Sequence, residues 1–180
     1  MNQRKIISQK KTLKTELFDV REIRFKGSTG KIKVHHEVER APVVSIFPLT
    51  DQYEIYLISQ YRSMLKKVVL EAISGYVEKN EGIIAAAKRE LKEEAGIEAQ
   101  QLEEIARVQI AGSVIKGTVN LFLAKGLELG ETNLDEEEQI SVVKMSLDQA
   151  VEKVMMGEIN HSASIIGILM LDKLRMQKKL

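Results

Sequence analysis

The chain has 180 residues, of which 44% are hydrophobic and 29% charged, so it suits one globular domain and is too apolar for a disordered or fibrous class. Lys and Arg number 27 against 26 Asp and Glu, and the net charge of +1 excludes a general electrostatic attraction to nucleic acid or anionic membranes. The absence of Cys excludes disulfides and thiolate chemistry. Because no apolar run resembles a signal peptide or a membrane span, we expect a cytoplasmic location.

The first 40 residues predict an N-terminal β element. Apolar and polar residues alternate over residues 20–25 and again over residues 31–38, and a turn-forming sequence at residues 27–30 separates the two segments. This pattern is typical of a hairpin. We therefore expect a β element over residues 1–40 and a main domain over residues 41–180.

The main domain combines short apolar runs, typical of buried strands, with longer stretches of helical period. Strands are expected over residues 43–49, 54–61, 105–110, 119–124 and 140–145. Helices are expected over residues 83–95, 147–156 and 162–176, with stops at Gly96 and Gly157 and an N-cap at Asn160 or Ser162 for the last. The apolar stretches 155–156 and 165–171 are expected in the core. The predicted class is α/β (α+β), with a mixed β-sheet between helical layers.

The predicted helix 83–95 carries a cluster of acidic residues. Glu90 and Glu94 are about 40° apart around a helix and Glu93 lies on the adjoining edge, so three carboxylates share one flank. Such a flank is usually a solvated charged face. Here Glu81 stands at the helix start, and Mg²⁺ prefers a few carboxylates together with water and substrate phosphate. Arg89 would pair with a neighbouring Glu and hold it in place.

The sequence around this helix resembles the Nudix box. The motif is a glycine, five residues, Glu, seven residues, and then Arg-Glu-aliphatic-any-Glu-Glu-any-Gly-aliphatic, and it is matched from Gly75 to Ile97 at all nine specified positions. Residues 60–62, 70–75 and 135–140 are similar to segments of the ADP-ribose pyrophosphatase and nucleoside-diphosphate-sugar hydrolase branch. The resemblance implies a Nudix-type α/β/α sandwich with a mixed sheet, extended here by the N-terminal hairpin.

The resemblance also implies roles for individual residues. Metal ligands would be the Ser74 carbonyl oxygen, Glu90, Glu94 and Glu138, and the general base would be Glu136 or Glu93. Substrate would be bound by Arg62, Glu39 and Arg40, while Gly75, Glu81 and Arg89 would support the site. The acidic run around Glu136 allows a one-residue shift of alignment or a simple solvated loop. Arg62 is alternatively a surface residue, and Glu39 with Arg40 an exposed pair.

The implied reaction is Mg²⁺-dependent hydrolysis, with Mn²⁺ as a substitute, of the pyrophosphate bond of a nucleoside diphosphate sugar. The products would be a nucleoside monophosphate and a sugar phosphate. Two departures from the branch affect the choice of sugar: Ile73 replaces its Pro, and residues 111–117 contain neither the Pro nor the Glu of its pocket segment. ADP-ribose and another nucleoside diphosphate sugar are therefore equal candidates.

Two alternative functions remain on the same scaffold. The box is shared by hydrolases of nucleoside triphosphates and dinucleoside polyphosphates, and a non-catalytic nucleotide sensor would also fit the fold. By resemblance we expect a homodimer formed through residues 1–40, with no nucleic-acid or membrane partner. His35, His36 and His161 are not expected to act in metal binding or catalysis.

Overall fold

The computed structural model describes residues 5–134 and 139–180, which divide into two compact units. The first contains the residues up to Pro42 together with Gln109–Thr118, and the second contains Val43–Val108 and Val119–Leu180. Among the described residues, no helix combines the length and apolar character needed to cross a bilayer.

The first unit is a four-stranded sheet. Strands β1 (Lys5–Lys14), β2 (Phe18–Lys26) and β3 (Ile32–Arg40) are antiparallel neighbours, and a short strand β9 (Ile115–Lys116) runs parallel to β3. The predicted hairpin is confirmed as β2–β3. Strand β1 was not predicted because every residue in it is exposed, so the sequence shows no apolar alternation there.

The second unit is built on two sheets. The first has the order β7 (Ile73–Tyr76), β4 (Val43–Pro48), β10 (Thr118–Leu129) and β8 (Ile97–Gln109), and is mixed because β10 is parallel to β4 while β7 is antiparallel to it. The second is antiparallel, with the order β11 (Ile140–Ser146), β5 (Glu54–Arg62) and β6 (Lys67–Glu71). Strands β8 and β10 extend beyond the predicted 105–110 and 119–124.

Three helices complete the second unit: α1 (Ile83–Ala95), α2 (Leu147–Met155) and α3 (Ser162–Met176). Helix α1 has the predicted bounds and ends at Gly96, whose left-handed conformation (φ 63°) directs its N–H to the Leu91 and Lys92 carbonyls. The predicted N-cap of α3 is wrong. His161 occupies that position without a side-chain capping bond, because its ring contacts Ser164 instead.

The core lies on both faces of the mixed sheet. On one face, Val44, Ile46 and Phe122 pack with Leu91 of α1. On the other face, the alternate strand residues Phe47 and Leu121 pack with Leu147 of α2 and with Ile168 and Leu171 of α3. The predicted arrangement of helical layers around a mixed sheet is therefore confirmed. The prediction that residues 155–156 are in the core is wrong, because Met155 and Met156 are 75% and 65% exposed at the end of α2.

Candidate active site

Two carboxylates of α1 lie against consecutive residues of β7. The Ser74 N–H donates to Glu94 Oε2 at 2.9 Å, and Glu94 is buried. At the next residue, a Cβ added to Gly75 would lie 2.0 Å from Cδ of Glu90, so the absence of a side chain at Gly75 makes room for this carboxylate. Glu90 and Glu94 therefore face the sheet, which excludes a solvated charged face for this pair.

Arg89 holds the surrounding acidic residues together. Its Nε and Nη2 donate to the two Glu81 oxygens at 2.9 and 3.0 Å, and its Nη1 donates to Glu90 at 2.7 Å and to Glu93 at 3.0 Å. Nη2 also donates to the Tyr76 carbonyl at 3.0 Å. The guanidinium lowers the pKa of Glu81, and the carboxylates in turn raise the pKa of Arg89. One cation thus keeps three like charges close to one another.

Glu93 is the more accessible carboxylate of this group. Its side chain is 36% exposed, against 12% for Glu90. Its backbone carbonyl accepts a hydrogen bond from the Asn133 N–H at 3.0 Å, so the chain after β10 is in contact with the last turn of α1. Water can therefore reach the Glu93 carboxylate.

The chemistry of the donor groups fits a divalent cation. Within a strand the N–H and C=O of one residue point to the same side, and the Ser74 N–H points to Glu94, so the Ser74 carbonyl lies on that side too. Two carboxylates and a carbonyl are hard oxygen ligands suited to Mg²⁺ or Mn²⁺. Among the described residues, no group of three or more His, Asp or Glu side chains is arranged so that it could hold a metal ion. The predicted Glu136 and Glu138 lie outside the described residues.

Arg62 is held by a buried carboxylate that the sequence analysis did not assign to the site. Arg62 Nε and Nη2 both contact Oε1 of Glu71, at 2.8 and 2.7 Å, and Gln60 Nε2 donates to the same oxygen at 3.0 Å. Glu71 is 2% exposed. The signal in the sequence is a lone acidic residue within the apolar run 68–73, since a charge buried there requires a partner.

Glu39 and Arg40 belong to the first unit. Glu39 forms ion pairs with Arg21 and with Lys116, the latter at 2.6 Å, and Lys116 lowers the pKa of Glu39. The aliphatic part of Arg40 lies close to Gly117, where an added Cβ would be 2.9 Å from Arg40 Cγ. These contacts join β3 to the segment that contains β9.

Comparisons with known proteins agree with this geometry. The model of the NUDIX domain matches residues 39–164. The chain is 30% identical over 172 residues to the methanol dehydrogenase activator of Bacillus methanolicus, covering 89% of this chain and 91% of that protein. It is 29% identical over 141 residues to the ADP-ribose pyrophosphatase of Bacillus subtilis (strain 168), covering 77% and 76%. A crystal structure of an ADP compounds hydrolase superimposes with a TM-score of 0.86 at 22% identity, covering 100% of this chain and 98% of that one, and so shows the same fold.

Proposed function

The chain belongs to the NUDIX domain family and is similar to an ADP-ribose pyrophosphatase, and we propose that it cleaves the pyrophosphate bond of a nucleoside diphosphate sugar. The products are a nucleoside monophosphate and a sugar phosphate. The observation that carries this proposal is the placement of Glu90 and Glu94 against Gly75 and Ser74, with Arg89 balancing the charge of Glu90.

We propose that Mg²⁺, or Mn²⁺ in its place, is held by Glu90, Glu94 and the Ser74 carbonyl, with Glu138 as a further ligand. When bound there, the ion supplies charge to offset the diphosphate and lowers the pKa of a coordinated water. The burial of Glu94 and its hydrogen bond from Ser74 support this assignment, because both fix the carboxylate in position before any ion arrives.

The remaining chemistry belongs to the side chains. Arg62 binds a phosphate oxygen, and Glu93 or Glu136 accepts the proton as water attacks phosphorus and the bridging phosphorus–oxygen bond breaks. The exposure of Glu93 supports its role as a base. Glu136 lies outside the described residues, so its role as the base stays a prediction.

A similar protein supports a nucleoside diphosphate substrate, since one of those compared is called an ADP-ribose pyrophosphatase. ADP-ribose and another nucleoside diphosphate sugar remain the two candidates, because residues 111–117 lack the Pro and Glu of the branch. The roles of Glu39 and Arg40 in holding the nucleotide stay predictions.

We further propose that the protein forms a homodimer through the first unit and is located in the cytoplasm. Support for the dimer comes from the large apolar side chains that the N-terminal strands leave exposed, among them Ile6, Ile7, Leu13, Ile32 and Val34. Burial of this surface against a second copy would remove it from water.

The test is identification of the products formed from a panel of compounds. The chain is incubated with Mg²⁺ and with ADP-ribose, UDP- and GDP-sugars, dinucleoside polyphosphates or nucleoside triphosphates. We expect a nucleoside monophosphate and a sugar phosphate from at least one sugar nucleotide. Pyrophosphate released from triphosphates alone would favour the triphosphatase alternative, and binding without turnover would favour a sensor.

A further inference from the structure

Glu71 at the end of β6 is a buried carboxylate outside the box. Its side chain is 3% exposed, whereas that of Arg62 is 42% exposed. All three donors described above converge on its Oε1, two from Arg62 and one from Gln60. A carboxylate removed from water needs such partners, and these bonds fix both the carboxylate and the guanidinium.

The geometry of the β5–β6 hairpin shows that Glu71 sets the direction of the Arg62 side chain. Glu71 lies opposite Ile58, and Arg62 is four residues further along β5, a distance of roughly 13 Å at about 3.3 Å per residue. Side chains at alternate positions share a face, so Arg62 extends back along β5, past Gln60, to reach Glu71. A free Arg62 would sample many rotamers at the strand end.

The segment that follows Glu71 is fixed by the start of α3. The Ala72 N–H donates to Ser164 Oγ at 2.9 Å, and Ser164 Oγ is 3.1 Å from Nδ1 of His161. The same His161 nitrogen is 3.8 Å from Oε2 of Glu71. Oε2 of Glu71 therefore faces His161, the N-cap of α3. The hydrogen bond from Ala72 ties the backbone after Glu71 to α3.

This segment joins Arg62 to the carboxylates of α1. Three residues after Glu71, the Ser74 N–H binds Glu94. The extended chain covers about 10 Å over that interval. A guanidinium anchored at Glu71 and a carboxylate anchored at Ser74 are thus held at a set separation along one short piece of backbone.

The guanidinium keeps hydrogen-bonding capacity for a ligand. Nε and Nη2 are directed to Glu71, and within the part of the chain that the structure describes Nη1 has no hydrogen-bond partner. Arg recognises phosphate through such paired N–H groups in a rigid plane. Glu71 therefore orients the partly exposed guanidinium through Nε and Nη2, and Nη1 is available to bind phosphate.

We propose that Glu71 is a positioning residue that orients Arg62 toward the diphosphate of the substrate at a fixed distance from Glu94. This inference rests on the proposed function in placing Arg62 on phosphate. Its alternative is a purely structural role, in which Arg62 serves only to compensate the buried charge of Glu71. The two roles differ in their effect on phosphate binding. A positioning Glu71 affects phosphate binding, and does so only through Arg62, whereas in the structural role Arg62 does not contribute to phosphate binding.

A double-mutant cycle on phosphate binding tests the proposal. Binding of inorganic pyrophosphate with Mg²⁺ is measured by titration calorimetry for the full chain and for Glu71→Gln, Arg62→Ala and the double variant, and kcat and KM are measured on the best substrate. We expect each single change to weaken pyrophosphate binding by about tenfold, the scale of a charge-assisted hydrogen bond. The double variant should bind no more weakly than Arg62→Ala, because the effect of Glu71 passes through Arg62.

Matched variants separate this result from loss of stability. Glu54→Gln removes a carboxylate from the other end of β5, where it pairs with Lys144, and should leave pyrophosphate binding unchanged. If Glu71→Gln does not fold, Gln60→Ala removes the other donor to Oε1 and should weaken binding severalfold, again only while Arg62 is present.

Several results would overturn the proposal. One is a double variant in which the losses of pyrophosphate affinity from the two single changes multiply. Others are unchanged pyrophosphate binding in Glu71→Gln and a wild-type chain that binds no pyrophosphate. Each would show that Glu71 does not act through Arg62 on phosphate. Failure of the proposed function is distinct: the wild type would then cleave no sugar nucleotide, while the coupling between Glu71 and Arg62 on pyrophosphate binding would still be measured.

Discussion

Strand β7 packs against the Glu90 carboxylate at Gly75, and adding a methyl group at this residue tests how closely the two must approach. In Gly75→Ala the new Cβ would lie 2.0 Å from Glu90 Cδ, so the carboxylate must move. We expect turnover to fall by at least about tenfold, since misplaced catalytic groups lose efficiency steeply, with a stability loss of about 1–3 kcal/mol. Steady-state kinetics and urea unfolding measure the two effects.

Gly82→Ala is the control, because nothing lies within 4 Å of its added Cβ and its φ of −80° suits alanine. It should retain turnover close to that of the wild type. Equal activity in both variants would show that Glu90 does not need its place against Gly75.

Glu81 predicts a dependence of stability on pH. Its hydrogen bonds from Arg89 lower its pKa in the folded state below the unfolded value, so its contribution is present above the unfolded pKa and is lost as the pH falls through the folded one. The free energy of unfolding should therefore decrease as the pH is lowered below about 4.5. In Glu81→Gln this part of the slope should disappear, as urea unfolding at a series of pH values will show.

Glu98→Gln provides the comparison. The pKa of Glu98 is also lowered, by Lys92, but both side chains of this pair are exposed and screened by water. Its removal should change the slope less than removal of Glu81. An identical slope in the wild type and in Glu81→Gln would contradict a stabilising role for the contact with Arg89.

For single residues, the sequence predicted which side chains of α1 lie together but not all of the contacts that side chains make. The box spacing places Glu90, Glu93 and Glu94 on one flank of α1, and a helix of regular period leaves little freedom there. The partnership of Glu71 with Arg62 depends on the pairing of two strands, and that register is not readable from residue types alone.

Among the elements, α1 depends on its C-terminal glycine. Gly96 has a φ of 63°, and an added Cβ would lie 2.6 Å from the Gly130 carbonyl oxygen. We expect Gly96→Ala to destabilise the fold by about 2–3 kcal/mol, from left-handed strain together with the steric clash. Chemical denaturation measures the change.

Gly157→Ala measures the stability loss from left-handed backbone strain alone. Gly157 has a φ of 76°, but nothing lies within 4 Å of its added Cβ, so it should cost only about 1 kcal/mol. Equal losses of stability in Gly96→Ala and Gly157→Ala would show that the close approach of Gly130 to Gly96 adds nothing to the cost of the substitution.

The elements differ in how well their sequences predicted them. Helix α1 was predicted to the residue, because its buried stripe and its terminal glycine are both local signals. Strand β1 was missed, since it is exposed on every residue and is held only by its ladder with β2. The N-cap of α3 was misplaced because His161 occupies this position without a side-chain capping bond, whereas sequence rules assume one.

For the molecule as a whole, the exposed apolar residues of the first unit predict self-association. The mass of the chain is 20.3 kDa, and light scattering should give about twice that value for the wild type. The double change Ile32→Glu and Val34→Glu should yield the monomer, because charges would replace two exposed apolar side chains on β3. Leu129→Glu alters an equally exposed residue of the second unit and should remain dimeric. A wild-type monomer at all concentrations would exclude the dimer.

The central claim is that carboxylates of α1 hold a divalent ion for hydrolysis, and turnover of Glu94→Gln at saturating Mg²⁺ tests it most directly. The change keeps the shape of the side chain and its capacity to accept the Ser74 N–H while removing the charge. We predict a fall in kcat of at least about a hundredfold, with Glu103→Gln, an exposed Glu of β8, close to wild type. An unchanged kcat in Glu94→Gln would contradict the account.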